Sequence, residues 1–312
     1  MRGFEDGGFA IVRRTAEDVR DSAYLAQICA FHSRTHKHAD HLSIVWQEGG
    51  RDLLVDAGRY GYVGRADPDS ELGRQGFWYD DPNRVYVEST RAHNTVEIDG
   101  RSHARRGVKP FGSALGRHGV EDGTAHVESQ VRHDAGVLHT RVLLYRPGEW
   151  LVVLDALTGP REGSHDFVQR FHFGRRLELE ALGDGFAATI PGAARRLYVV
   201  PLLEAEPVAP VRGRGEPELL GWTSRSSGSM TPVWTAGFAA EGVAQAGFAT
   251  LLSLGDSYPV ADLDQNRMNV TGRRAQLAWR DGSGRSRLEL DREGEALSVR
   301  RTAPETDGDP AR

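Results

Sequence analysis

Short apolar and β-branched runs, broken every few positions by Gly, Asp, Asn or Pro, dominate this chain. Phe9 to Val12 and Tyr24 to Phe31 read as opening strands. Leu42 to Trp46, the turn Glu48-Gly49-Gly50-Arg51, and Leu53 to Val55 read as a hairpin. Thr95 to Ile98 ends on Asp99-Gly100, Val137 to Tyr145 and Leu151 to Leu154 flank Pro147-Gly148, and Phe167 to Phe173 alternates with a period of two. Further strands are expected near 196–203, 248–254, 275–279 and 286–300. Helical periodicity is confined to Thr15 to Asp21 and parts of 66–76, a turn or two each. Many strands with few helices predict an all-β chain: a large antiparallel β-sandwich of stacked sheets over residues 1–300. Residues 301–312 read as a disordered tail. Residues 57–92 form a long connection rich in Gly, Asp, Arg and Tyr, and long loops in compact domains usually carry function.

Composition narrows the function classes. A hydrophobic fraction of 39% over 312 residues is enough for a core. The net charge of −5 argues against a general nucleic-acid binder, and any anionic ligand must be drawn by a local basic patch. Cys29 is the only cysteine, which excludes an internal disulfide and a Cys-rich zinc site. No apolar run approaches the roughly 18 residues of a membrane-spanning helix, so no membrane insertion is expected. The start, Met1-Arg2-Gly3-Phe4-Glu5-Asp6, lacks the apolar core of a signal peptide.

Two polar clusters offer chemistry. The first is His36-Lys37-His38-Ala39-Asp40-His41, and the second is Ser89-Thr90-Arg91-Ala92-His93-Asn94-Thr95. Imidazole is the commonest neutral metal ligand and a proton carrier near pH 7. If 36–46 is extended, His36, His38 and Asp40 share one face, and the two rings serve one metal, or one metal and one substrate. Zinc takes three or four N, O or S ligands, and Asp56 and His93 are further candidates. The bland alternative is a solvated polar edge with chance histidines. His36-x-His38-x-Asp40-His41 also matches the H-x-H-x-D-H signature of metallo-β-lactamase-type hydrolases. That signature normally follows a strand ending in an Asp-Gly-like turn, whereas here Leu53-Leu54-Val55-Asp56-Ala57-Gly58 comes after it.

Three ordered blocks together resemble the heparinase II/III-like family of polysaccharide lyases. They are His36-Lys37-His38-Ala39-Asp40-x-Leu42-Ser43, Leu53-Leu54-Val55-Asp56-Ala57-Gly58-x-Tyr60, and Arg84-x-Tyr86-x-x-Ser89-Thr90-x-Ala92-His93-Asn94-Thr95-Val96-x-x-Asp99-Gly100. Weaker echoes are His165, Arg170-Phe171-His172-Phe173 and Gly221-Trp222-Thr223-Ser224. The family pairs an N-terminal (α/α) toroid with a C-terminal antiparallel β-sandwich. This chain resembles only the sandwich half, and Phe4 to Arg13 looks like the first strand after the toroid.

The resemblance implies β-elimination on uronic-acid polysaccharides such as glycosaminoglycans or alginate, with removal of the C5 proton, stabilisation of charge on the uronate carboxylate, and departure of the 4-oxygen. By position, His36 matches a cleft histidine that assists this chemistry. His38, Asp56 and His93 match the zinc ligands of heparinase II-like members, where the ion is mainly structural. Asp40 would orient an imidazole. Asn94 would bind substrate or cap a strand, and Tyr60, Arg84 and Arg91 would contact carboxylates. The family's principal catalytic tyrosine lies in the toroid, His41 is not typical, and Ser224 stands where an aromatic is usual. The expected partners are thus an acidic polysaccharide and a helical toroid, separately encoded or upstream, in the periplasm or cell envelope. Whether the chain itself is an enzyme stays open. The alternatives are a non-catalytic, metal-stiffened glycan-binding or interaction module and the metal hydrolase.

Overall fold

The computed structural model describes residues 1–31, 36–105, 112–160, 163–269, 271–292 and 298–305. A five-stranded antiparallel sheet opens the chain: Arg2–Phe4, Phe9–Arg14, Ala23–Ile28, Ile44–Glu48 and Arg51–Leu54. The largest sheet has eight strands in the order Glu178–Leu182, Gly185–Thr189, Arg196–Pro201, Gln245–Gly255, Trp150–Thr158, Leu138–Arg146, Thr124–Arg132 and Leu115–Glu121. A third sheet orders Glu206–Arg212, Trp234–Val243, His165–His172 and Val96–Ile98. The last is built on Arg274–Asp281, Gly284–Asp291 and Ser298–Glu305.

Period-two alternation explains the layering. In Leu138–Arg146, Leu143 and Tyr145 join a core with Trp46, Phe167, Phe171 and Phe238. Their neighbours Val142 and Leu144 join a second core with Leu277, Trp279 and Leu288. The eight-stranded sheet is therefore covered on both faces, by the first and third sheets on one side and the last sheet on the other. Each large side chain so buried contributes about 1.5–3 kcal/mol. The expected all-β sandwich stands, with three layers. No helix among the described residues is long and apolar enough to cross a membrane.

Several local expectations are corrected. Residues 36–43 are not a strand, which begins only at Ile44. His36 (φ 61°) and Leu42 (φ 59°) are left-handed, and a turn is closed by Ser43 N–H donating to the Asp40 carbonyl at 3.0 Å. The shared face expected for His36, His38 and Asp40 is therefore lost. Thr15 to Asp21 yields only a 3-10 turn, Val19–Asp21, while 66–76 does contain a helix, Glu71–Gln75. An unforeseen helix, Pro82–Glu88, starts where the Asp81 carboxylate accepts from Asn83 N (2.9 Å) and Arg84 N (3.1 Å). The tail expected from 301 instead begins inside a strand, because Ser298–Glu305 completes the open edge of Gly284–Asp291. Pro304 is tolerated on such an edge. Residues 306–312 lie outside the described residues.

One seam positions the functional residues. Leu54 bridges Phe173, and Val55 N–H donates to the His172 carbonyl at 2.9 Å, which stitches the first sheet to the third. Asp56 follows directly, and the loops 36–43 and 89–95 meet at the same place.

Candidate functional site at the sheet seam

Small polar residues of the second sequence cluster tie the histidine loop down. Thr90 Oγ1 donates to the Ala39 carbonyl (2.7 Å) and Thr95 Oγ1 to the His41 carbonyl (2.5 Å). Ala39 N–H donates to the Glu88 carbonyl at 2.8 Å. On the other flank, Ser224 N–H donates to the Ala57 carbonyl (2.7 Å) and Arg59 N–H to the Ser224 carbonyl (3.1 Å). Gly58 makes this crossing feasible: its φ is 73°, and a Cβ there would lie 1.9 Å from the Ser224 carbonyl oxygen.

At this seam the Asp56 carboxylate takes the Gly58 amide at 2.8 Å and His93 Nδ1 at 3.0 Å. The His38 and His93 ring centroids are 5.4 Å apart. Burial and then the neighbouring His93 push the His38 imidazole down to about 4. Burial alone would lower His93 too, but the Asp56 carboxylate outweighs it and raises the ring. Surrounding protein would raise the Asp56 carboxyl, yet that side chain keeps 44% of its surface. His93, His38 and the Gly58 amide prevail and hold it well below the usual carboxylate range. His93 Nε2 is buried without a partner among the described residues. So are both ring nitrogens of His172, whose imidazole is pushed down to about 3 by burial, then by Arg170 and His93.

His36 is exposed at the rim. Its Nδ1 lies 3.4 Å from Arg59 Nη2 and 3.3 Å from the Tyr62 hydroxyl, and its ring meets Tyr62 edge-on at 5.8 Å. Arg59 stacks over Tyr62 at 4.3 Å. An open cleft of about 530 Å³ lies here, lined by Asp56, Gly58, Arg59, Tyr62 and residues 223–227. Arg225 also borders two adjoining depressions, one with Asp56 and Arg175, the other with Arg20, Arg51, Arg175 and Arg176. Arginines outnumber the acids Asp52 and Asp56 around the three depressions, which gives a local basic surface in an acidic chain.

The other residues expected to touch substrate sit differently. Asn94 is fully buried, with its amide donating to the Ile44 (2.7 Å) and Val55 (2.9 Å) carbonyls and its Oδ1 accepting from His172 N at 2.6 Å. Both its donors are engaged, so it fastens the seam. Arg84 is 1% exposed and ion-paired to Glu88, beneath the Tyr62 and Tyr79 rings. Arg91 is occupied by Glu97 (3.1 Å), the Gly100 carbonyl (3.0 Å) and Glu218. Tyr60 packs on Ala57, Tyr86, Val87 and Ala92. Asp40 pairs with Lys37 at 2.5 Å rather than with an imidazole. The residues that do line the groove, Arg59, Tyr62 and Arg225, were missed. Arg59 is the unspecified position before Tyr60, Tyr62 comes two positions after that block and Arg225 one after Ser224, and nothing in their spacing marks them.

The H-x-H-x-D-H motif does not converge. His36 faces the cleft, His38 faces His93, Asp40 faces Lys37, and His41 is buried beside His103 and His133. Among the described residues, the donor atoms that close to within 4.8 Å of one another are those of His41, His103 and His133; His38, Asp56 and His93 form no such closed group.

Comparison with known proteins gives the same architecture. The model for the family "Heparinase II/III-like, C-terminal" matches residues 1–246. Heparan sulfate lyase HepC from Pedobacter heparinus superposes with a TM-score of 0.72 at 13% identity, covering 94% of this chain and 42% of that one. A heparinase III structure gives 0.66 at 14% identity, covering 92% and 42%. This chain therefore spans about two-fifths of those proteins, and at such identity the likeness carries the fold. No curated protein matches.

Proposed function

The chain belongs to the heparinase II/III-like C-terminal family, and from that premise we propose that it forms the β-sandwich half of a polysaccharide lyase acting by β-elimination on uronic-acid polysaccharides. A helical toroid, on the same polypeptide or another, supplies the opposite wall of the cleft and the remaining acid–base groups. The periplasm or cell envelope is where such a substrate would be met. The observation that carries this reading is the exposed His36 ring at the mouth of a groove lined by Arg59, Tyr62 and Arg225.

The chemistry follows from the contacts. Arg59 has only donors, so its approach leaves His36 Nδ1 as acceptor. The proton of the neutral imidazole then sits on Nε2, free to donate into the cleft. As C5 loses its proton, negative charge grows on the uronate carboxylate, and a preorganised donor there lowers the barrier. Arg59 and Arg225 hold the polyanion, and the exposed Tyr62 ring borders the cleft beside them.

Two residues at the seam stand at a spacing that suits the zinc ion of the family's metal-binding members, and a third is near. Two ligands at about 2.0–2.1 Å from a tetrahedral ion lie roughly 3.3 Å apart, close to the 3.0 Å between His93 Nδ1 and Asp56. His38, whose ring lies 5.4 Å from that of His93, would have to turn in as the third ligand. When bound, the ion would brace the cleft wall by joining three loops.

The test is to incubate the chain, with a helical domain restored, with heparan sulfate and alginate and to follow ultraviolet absorbance of the new carbon–carbon double bond. Absorbance growth that His36→Ala slows about a hundredfold is expected; no unsaturated product from any uronate polysaccharide rejects the reading. Glycan binding without product would instead favour a non-catalytic module, for which the groove alone suffices.

A further inference from the structure

We propose that the chain carries a second, fully enclosed transition-metal site, formed by His41, His103 and His133, that takes Zn²⁺ or a comparable divalent cation. The three come from separate elements: His41 from the loop before Ile44–Glu48, His103 from the segment after Val96–Ile98, and His133 from the turn after Thr124–Arg132. Their exposures are 1%, 4% and 4%. The ring centroids lie 4.7 Å (His41–His103), 4.2 Å (His103–His133) and 5.4 Å (His41–His133) apart. One nitrogen from each falls within 4.8 Å of the others.

Hydrogen bonds around the cluster decide which nitrogens are bare. Asp155 is an acceptor gripped by Arg141 through two bonds of 2.7 Å. His139 Nε2 must therefore donate to Asp155 (2.7 Å), which leaves its Nδ1 as acceptor. His133 Nε2 donates to that Nδ1 at 3.3 Å, so His133 Nδ1 keeps a free lone pair. His103 Nε2 donates to the Val96 carbonyl at 2.7 Å, so its Nδ1 is bare as well. Both bare atoms are buried without a partner among the described residues, as are both nitrogens of His41. The Ala104 carbonyl lies against the His41 ring without closing a hydrogen bond.

Metal-bound histidines commonly donate their other ring nitrogen to a carboxylate or carbonyl, which fixes the tautomer and aims the lone pair. His103 is aimed in that way by the Val96 carbonyl, and His133 by the His139 imidazole, which Asp155 holds in turn. Burial, reinforced by the neighbouring imidazoles, keeps all three well below the ordinary histidine range and therefore neutral, the form a metal binds. Three imidazoles suit zinc, copper or nickel better than calcium or magnesium. A plain stack of histidines would leave several buried nitrogens orphaned, which is rare in folded chains. An ion satisfies one on each ring at once and clamps the loop that carries His36 and His38 from behind. None of the ligands is shared with the seam.

The test uses the full chain stripped with a chelator and titrated with zinc chloride against a chromophoric competitor. Asp56→Ala, which disables the seam, should retain one tightly bound equivalent, and adding His133→Ala should remove it. Crystals of the unaltered chain soaked in zinc chloride guard against a folding defect in the variant. Anomalous density at the zinc edge should appear among His41, His103 and His133. No density between those rings, or an Asp56→Ala chain that binds no zinc, overturns the proposal.

Discussion

One loop feeds two groups of histidines that share almost nothing else. His36 and His38 lie on the cleft side with Arg59, Tyr62 and Asp56, while His41, three positions on, lies in the interior with His103 and His133. They part at the turn Asp40–Ser43, which carries His41 and the left-handed Leu42. Such a backbone costs about 1–3 kcal/mol and persists only where its surroundings hold it. Here Arg141 Nη1 grips the Leu42 carbonyl at 2.9 Å and the Asn94 carbonyl at 2.6 Å. A histidine-rich motif is therefore not one site. The path of the chain assigns some rings to water and ligand and others to the core.

The largest effect should come from cutting the interior group at its acid. Asp155→Ala leaves the guanidinium of Arg141 buried and unpaired, and breaking such a pair costs about 3–5 kcal/mol. Urea unfolding of the metal-free chain would show it, and a loss below about 1 kcal/mol would break the contrast. On the cleft side the expectation reverses. His36→Ala should leave stability within about 0.5 kcal/mol while lowering turnover of the reconstituted lyase about a hundredfold, roughly 2.7 kcal/mol of barrier. If that variant instead unfolds as readily as the Asp155 one, the two regions are not distinct.

Next comes the hinge between them and the groove. Gly58→Ala sets a methyl against the Ser224 carbonyl at a left-handed φ, at roughly 1–3 kcal/mol. A lower melting temperature together with weaker zinc binding at the seam is expected, because Asp56 moves with that turn. An unchanged melting temperature would show that the crossing is not needed.

The open side was partly legible in the sequence because its residues fall in compact blocks: the family resemblance implied His38, Asp56 and His93 as a ligand set, and His93 does stand against both the Asp56 carboxylate and the His38 ring. The interior group was not legible. His41, His103, His133 and His139 are spread over about a hundred positions; the pairing of Thr124–Arg132 with Leu138–Arg146 brings His133 to His139, and the segments before Ile44–Glu48 and after Val96–Ile98 bring in the other two. Strand existence was readable from alternation, as in Phe167 to Phe173. Alternation could not show that Leu143 and Val142 face two different cores, because a sheet covered on both sides leaves no polar face to mark. Arg84 and Asn94 looked like ligand contacts because they are polar in a motif. The fold uses them to satisfy buried groups, which single-chain pattern reading cannot separate from exposure.

A smaller, pH-dependent effect sharpens the picture at His172, on the seam beside Arg170, His93 and Asp56. Its folded value of about 3 lies below the roughly 6.5 of an unfolded histidine. The unfolded chain thus binds the extra proton first as pH falls, so this ring's contribution is complete above about pH 6.5 and drains away towards pH 3. His172→Phe should flatten the acid slope of unfolding stability by up to about 1.4 kcal/mol per pH unit between those limits. Measured with chelator present, an unchanged slope would mean that the ring is protonated in the folded chain.

The smallest effect belongs to the groove's edge, where water screens every charge. Arg225 keeps 60% of its side-chain surface and stands 3.8 Å from Asp52, so no single contact there is worth much. An exposed ion pair contributes about 0.2–1 kcal/mol, so Arg225→Gln should weaken heparan sulfate binding by only about two- to fivefold. The loss should shrink as salt rises, since the Debye length falls to about 3 Å at 1 M. Turnover of bound substrate should be unchanged, in contrast to His36→Ala. Arg285→Gln, on the outermost layer and paired with Asp262, serves as the charge-matched control. If it weakens binding as much as Arg225→Gln does, attraction comes from the chain's charge at large and not from the groove beside His36.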